Sequence, residues 1–287
     1  MYTFSNFPFD ILEEISEINF NKFNNDTGSH LALVPSIVHF FLFENSTLEL
    51  TAAASIKSFL VTGKSDVVYL HTLNTNLTGK YFERLLDDPF IKEGENLLVN
   101  VFSSQSSLLS DCRRVEEMVV RAQLVVVGEV GGMVVPPGAL ALRPLLPLLR
   151  VEARLYWPPD VAWQGALLMA SKGARVTRRA WTLLMDGHPA AARFGSGPGL
   201  GVLAEGEEEH VVARAVQEQQ GLVTWETEEL DRIRTQREGD GEGDEELRGL
   251  YGLYILILPV TKGLELEEVL LSPHPASHAL RLAWLAH

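Results

Sequence analysis

The chain has 287 residues, 46% of them apolar and 22% charged, with a formal net charge of −14. Those are globular values, enough for one large domain or two ordinary ones, and they exclude wholesale disorder. The acidic balance argues against a nucleic-acid partner, which would need clustered Lys and Arg, and a lone cysteine, Cys112, rules out an intramolecular disulfide or a cysteine-cluster zinc site.

Composition changes abruptly along the chain. All ten asparagines lie between Asn6 and Asn100, twelve of thirteen phenylalanines end at Phe102, and sixteen of seventeen arginines fall at or after Arg113. Two stretches of different history joined near Cys112 would produce this pattern. No basic n-region precedes Asp10, Glu13 and Glu14, so no secretory signal is expected, and a cytoplasmic or nuclear location is. The longest apolar run, Met133 to Leu149, is interrupted by Pro136, Pro137, Arg143, Pro144 and Pro147, and is too broken to span a bilayer.

From the amino terminus, Pro8 stands in the first turn of a predicted helix, where its missing N–H costs nothing. Phe9, Leu12 and Ile15, with Ile11 beside them, form its apolar face. Leu31 to Phe43 reads as a buried helix interrupted by Pro35, or as two short pieces. Strand-like runs then start at Val67, Leu97, Leu124, Val151 and Val176. Helical or turn-rich stretches lie between them: Tyr81 to Asp88, Leu108 to Val120, Ala139 to Leu149 and Trp163 to Ser171. A strand plus helix recurring at such spacing suits either a solenoid or an irregular α/β domain. Arg237 to Glu246 is acidic and Gly-rich and reads as an exposed loop, and Leu250 to Leu258 as a buried strand. Ala279 to Leu285 closes the chain as a strand or helix.

The stretch FSNFPFDILEEI, Phe4 to Ile15, resembles the opening of an F-box, with LALVPSIVHFF, Leu31 to Phe41, in the place of that motif's later segment. The periodic middle resembles degenerate leucine-rich repeats, for example Asp66 to Leu86 and Leu149 to Ala170. This resemblance implies an α/β fold with a short helical F-box-like head, residues 1–45, and a leucine-rich-repeat-like βα solenoid, residues 46–287. It also implies a non-enzymatic adaptor of a cullin-type ubiquitin ligase. Pro8, Ile11, Leu12 and Ile15 would contact a Skp-type linker protein, and the repeats would select a target protein.

Two other local matches point elsewhere. WQGALLMASKGARVTRRAW, Trp163 to Trp181, with Trp225 and Asp231, resembles the phage anti-Thoeris family, which implies sequestration of a small signalling nucleotide. RAVQEQQGL, Arg214 to Leu222, is similar to the Nudix helix, with Ala215 and Gln219 in place of two carboxylates; only Glu218 remains to hold a cation. His274 and His278, four apart around Pro275, read as surface histidines, and Gly195 to Gly201 as a Gly-rich loop without a phosphate-binding Lys-Ser/Thr pair. No catalytic residue, cofactor or metal ligand is expected from these patterns.

Overall fold

A computed structural model describes residues 29–43, 47–73, 77–103, 106, 108–112, 114–157, 167–187, 211–215, 222–224, 253–258, 263–272 and 274–286. In chain order these form β1 (Ile37–Phe41), α1 (Leu50–Val61), β2 (Val67–Leu73), α2 (Lys80–Leu86), α3 (Pro89–Gly94) and β3 (Leu97–Phe102). Then come α4 (Val115–Val130), β4 (Gly132–Val134), β5 (Ala139–Ala141), a 3₁₀ turn (Leu146–Arg150), β6 (Ala153–Trp157), β7 (Leu167–Ala170) and α5 (Arg175–Met185). The remainder comprises β8 (Val211–Ala215), β9 (Leu222–Thr224), β10 (Ile255–Ile257), α6 (Leu266–Leu271) and α7 (Pro275–Leu285).

Seven strands form one sheet in the order β3-β2-β1-β4-β7-β6-β8. β1 pairs in parallel with β2 and β4, β2 with β3, and β6 with β8, while β7 runs antiparallel to both β4 and β6. Alternation along the strands sends Val38, Phe40, Val68, Leu70 and Met169 into one core, and Phe41, Phe102, Leu155 and Leu168 into the other. α1 belongs to the first core and α4 and α5 to the second, so helices cover both faces. A smaller sheet, β5-β10-β9, lies on the α1 side.

α1 explains how that side closes. Eleven of its twelve residues, from Leu50 to Leu60, are buried, which is what a helix enclosed on several sides requires. Its small residues Ala52, Ala53, Ala54 and Ser55 permit close approach. The Ser55 hydroxyl donates to the Ala139 carbonyl, and Ser58 Oγ accepts from Ala141 N at 2.9 Å, so the helix itself satisfies polar groups of β5. Lys57 pairs with Asp88 at 2.7 Å, both nearly buried, and its ammonium lies 5.8 Å from the Trp284 ring of α7.

This architecture corrects several expectations. A leucine-rich-repeat solenoid requires parallel strands in chain order with helices on one side; here the order reverses at β1, β7 is antiparallel, and both faces carry helices. The fold is a mixed α/β sheet, and the F-box and leucine-rich-repeat reading falls with the solenoid. Leu31 to Phe43 contains no helix, because residues 37–41 form the strand that joins β2 to β4. The run at Leu124 lies inside α4, and the run at Val176 is α5. Ala139 to Leu149 holds β5 and the 3₁₀ turn, where Pro144 and Pro147 forbid a continuous helix. The composition break does not mark a boundary of the sheet, since β1–β3 precede Cys112 and β4, β6, β7 and β8 follow it.

Candidate functional site

In an open sheet the strand order reverses where one strand's connection leads left and the next leads right, which opens a crevice at the strands' carboxyl ends. Here that point is between β1 and β4. The described residues at that point are Phe41, which ends β1, then Leu42 and Phe43, and Val135, Pro136, Pro137 and Gly138 after β4; of these only Phe43 and Pro137 are partly exposed, and β1 leads through residues 42–49 into α1. Helix geometry leaves the first-turn N–H groups of Leu50, Thr51 and Ala52 without intrahelical acceptors, and the side chain of Glu49 at the N-cap does not cap them. The Thr51 hydroxyl is fully buried and has no partner among the described residues. Phe43 is half-buried, its ring 5.8 Å from Phe41 and 5.6 Å from Phe102.

Residues 42–49 contain no glycine, so this loop is not the Gly-rich turn that lets a pyrophosphate approach the backbone. Pro136, Pro137 and Gly138 put no side-chain oxygen at the end of β4. Among the described residues no group of three or more His, Cys, Asp or Glu is placed to hold a metal ion.

A buried polar chain runs across three strands, from β3 through β2 to β1, and ends at Gly131, just before β4. His39 Nε2 lies 3.0 Å from the Gly131 carbonyl, His39 Nδ1 lies 3.0 Å from His71 Nε2, and His71 Nδ1 lies 3.1 Å from Asn100 Nδ2. A carbonyl only accepts, so His39 carries its proton on Nε2 and accepts at Nδ1. His71 therefore donates from Nε2 and accepts from the Asn100 amide at Nδ1. Every bond in the chain is satisfied with both imidazoles neutral. Burial pulls His39 down to about 4, against a smaller opposing effect of the bond to Gly131, and holds His71 well below its ordinary value, with His39 adding to the effect. Gly132, at φ +113°, is part of this fit: a Cβ there would stand 2.6 Å from the Ile37 carbonyl and 2.9 Å from His39 Nε2.

The residues singled out by sequence are not brought together. Pro8, Ile11, Leu12 and Ile15 lie outside the described residues, as do the Gly195 to Gly201 and Arg237 to Glu246 segments. Arg214 lies on β8, so the start of the Nudix-like stretch is strand and not helix. Leu167–Ala170 is β7, which removes the helix expected there by the anti-Thoeris resemblance. His274 is not a surface residue: it is buried at the N-cap of α7, where Nδ1 accepts from Ala276 N at 3.1 Å, and only His278 is partly open. Sequence reasoning passed over α1, although twelve residues without Gly or Pro and with three consecutive alanines were a helix signal. It also passed over His39, the polar residue within IVHFF.

No family model and no curated protein matches the chain. Among solved structures, the chain is similar to the PaToxG glycosyltransferase at 10% identity and a TM-score of 0.37, covering 61% of this chain and 69% of that one. A likeness of that size fixes no activity. The expectation of a non-enzymatic adaptor is withdrawn on the fold alone: it rested on a solenoid surface that the mixed sheet removes. No helix of the described residues is long and apolar enough to cross a membrane.

Proposed function

We propose that this chain is a ligand-binding α/β domain that takes a phosphate-bearing nucleotide at the carboxyl ends of β1 and β4. The reversal of strand order at that pair, with the amino end of α1 beside it, carries the reading. Uncapped N–H groups at a helix start favour an anion. The buried Thr51 hydroxyl supplies a further donor that has no partner among the described residues. Phe43 offers an aromatic face on which a base can stack.

Titration with nucleoside monophosphates and diphosphates, bare nucleosides and inorganic phosphate, followed by amide NMR, tests this. Phosphorylated nucleosides should bind more tightly than either part alone and shift resonances at residues 42–43, 50–52 and 135–138. Thr51→Val, which keeps the volume and removes the hydroxyl, should weaken binding about tenfold, as expected for losing one hydrogen bond to a charged group. Absence of saturable binding at millimolar nucleotide, or shifts confined to another part of the fold, would refute the assignment.

A further inference from the structure

At the carboxyl end of α1 an opening lies between that end, β5 and α7, with a cavity volume of about 610 Å³. Its walls are mainly aliphatic, and Leu142, Leu282 and Leu285 line it. Leu282 and Leu285 are half exposed, an apolar helix face without a covering partner among the described residues. The polar part of the described lining comes from Thr62, Arg143, Arg281 and His278, with no carboxylate among the described residues.

Among the described residues those two arginines face no carboxylate. Arg281 Nη1 donates to the carbonyls of Val269 at 2.9 Å and Ser272 at 2.6 Å, both neutral acceptors. The Arg143 guanidinium lies 5.0 Å from the Tyr254 ring centre. Neither makes an ion pair with a carboxylate among the described residues. The described lining of this cavity is thus positive and apolar, in a chain of net charge −14. An apolar cavity of this size with few polar groups at one side is the form of a small-molecule site.

We propose that this cavity binds a free medium-chain carboxylate, its alkyl tail along Leu142, Leu282 and Leu285 and its head group against Arg143 and Arg281. Charge complementarity selects the head, and the aliphatic wall selects the tail. Burial, which works against the Arg281 charge, makes an anion there a relief and not a cost.

The test is calorimetric titration of the full chain with hexanoate, octanoate and decanoate, each below its micellar concentration. Binding should saturate at one site per chain and tighten about fourfold for each methylene the cavity buries. Arg143→Gln, at an exposed position, should weaken decanoate about tenfold and leave decanol unaffected, while Arg143→Lys should retain most of the affinity. Leu282→Ala should weaken both decanoate and decanol. The assignment is overturned if decanoate does not saturate, if decanol binds the native chain as tightly as decanoate, or if Arg143→Gln changes nothing. Binding to anionic phospholipid vesicles without binding to monomeric decanoate would equally overturn it, in favour of a membrane-facing surface.

Discussion

Acid should destabilise this protein earlier than carboxylate titration would require, because its central sheet is built around two neutral histidines. In the unfolded chain His39 titrates near 6.5, whereas the folded state pulls it down to about 4. A depressed histidine gives stability that is fully present above the unfolded value and is lost as pH falls from there to the folded one. From pH 7 to pH 5 the unfolded chain takes up about three-quarters of a proton at His39 and the native state takes up about a tenth. Linkage converts this into a loss of about 2 kcal/mol from His39 alone, growing to about 3 kcal/mol by pH 4. His71, lowered in the same sense, adds to the loss. Urea unfolding at pH 7, 6 and 5 measures it directly. His39→Gln, which keeps a donor for the Gly131 carbonyl, should be less stable at pH 7 but should lose less on acidification. Nitrogen-15 shifts should show Nε2–H tautomers at both rings. Equal stability at pH 7 and 5, or an Nδ1–H tautomer at His39, would refute the reasoning.

Other features carry equally direct expectations. Gly132→Ala should cost more than about 2 kcal/mol, since the new methyl meets both backbone and His39 at a positive φ; thermal or urea unfolding reads the loss. Glu152 is buried and accepts from the Arg175 backbone N–H at 2.8 Å and from its guanidinium. Glu152→Ala should therefore lower unfolding free energy by about 3 kcal/mol by stripping α5 of its N-terminal acceptor and removing the carboxylate that the Arg175 guanidinium donates to. For Lys57 and Asp88, a double-mutant cycle with Lys57→Met and Asp88→Asn should give a coupling above about 1 kcal/mol, the asparagine preserving the bond to Phe90 N. Burial pushes the Cys112 thiol up, against the partial relief of Arg121, so native protein should react with a thiol reagent far more slowly than unfolded protein at neutral pH.

How much of this was legible in the residues differs from element to element. β2 and β3 were readable because aliphatic and aromatic residues run briefly between polar turns, and α2 because Phe82, Leu85 and Leu86 recur at helical spacing, although the residues it buries are Tyr81 and Leu85. The valine run within α4 misled, since β-branched residues favour strands until packing between a sheet and another helix demands an apolar surface. In α5 the alternation of buried Val176, Thr177 and Ala180 with exposed Arg179 was a helical period that the run of large residues obscured. Strand order was not legible at all. Nothing local in residues 132–134 says that β4 pairs with β1 and not with β3, so the crevice could not be located before the fold was known. The buried histidines were hidden for a related reason: His39, His71 and Asn100 are 29 to 32 positions apart and meet only through strand register.

The composition break acquires a physical meaning from that register. Of the main-sheet strands, β1, β2 and β3 precede Cys112 and β4, β6, β7 and β8 follow it, so within this sheet the two compositions meet along the β1–β4 pair. That seam is short, with only Val38 opposite Met133 and His39 opposite Val134. It is supplemented by the bond from Val135 N to the His39 carbonyl at 3.2 Å and by the side-chain bond from His39 Nε2 to Gly131. His39 thus joins the halves through both its backbone and its ring, and Gly132 is glycine because nothing larger fits against that ring. Protonating or replacing His39 should consequently loosen the seam before it disturbs either half. Hydrogen exchange at Met133 to Val135 should accelerate at pH 5 more than exchange within β2 or β3. Uniform acceleration across all four strands would mean that the histidines act on global stability alone, and that the seam has no local weakness.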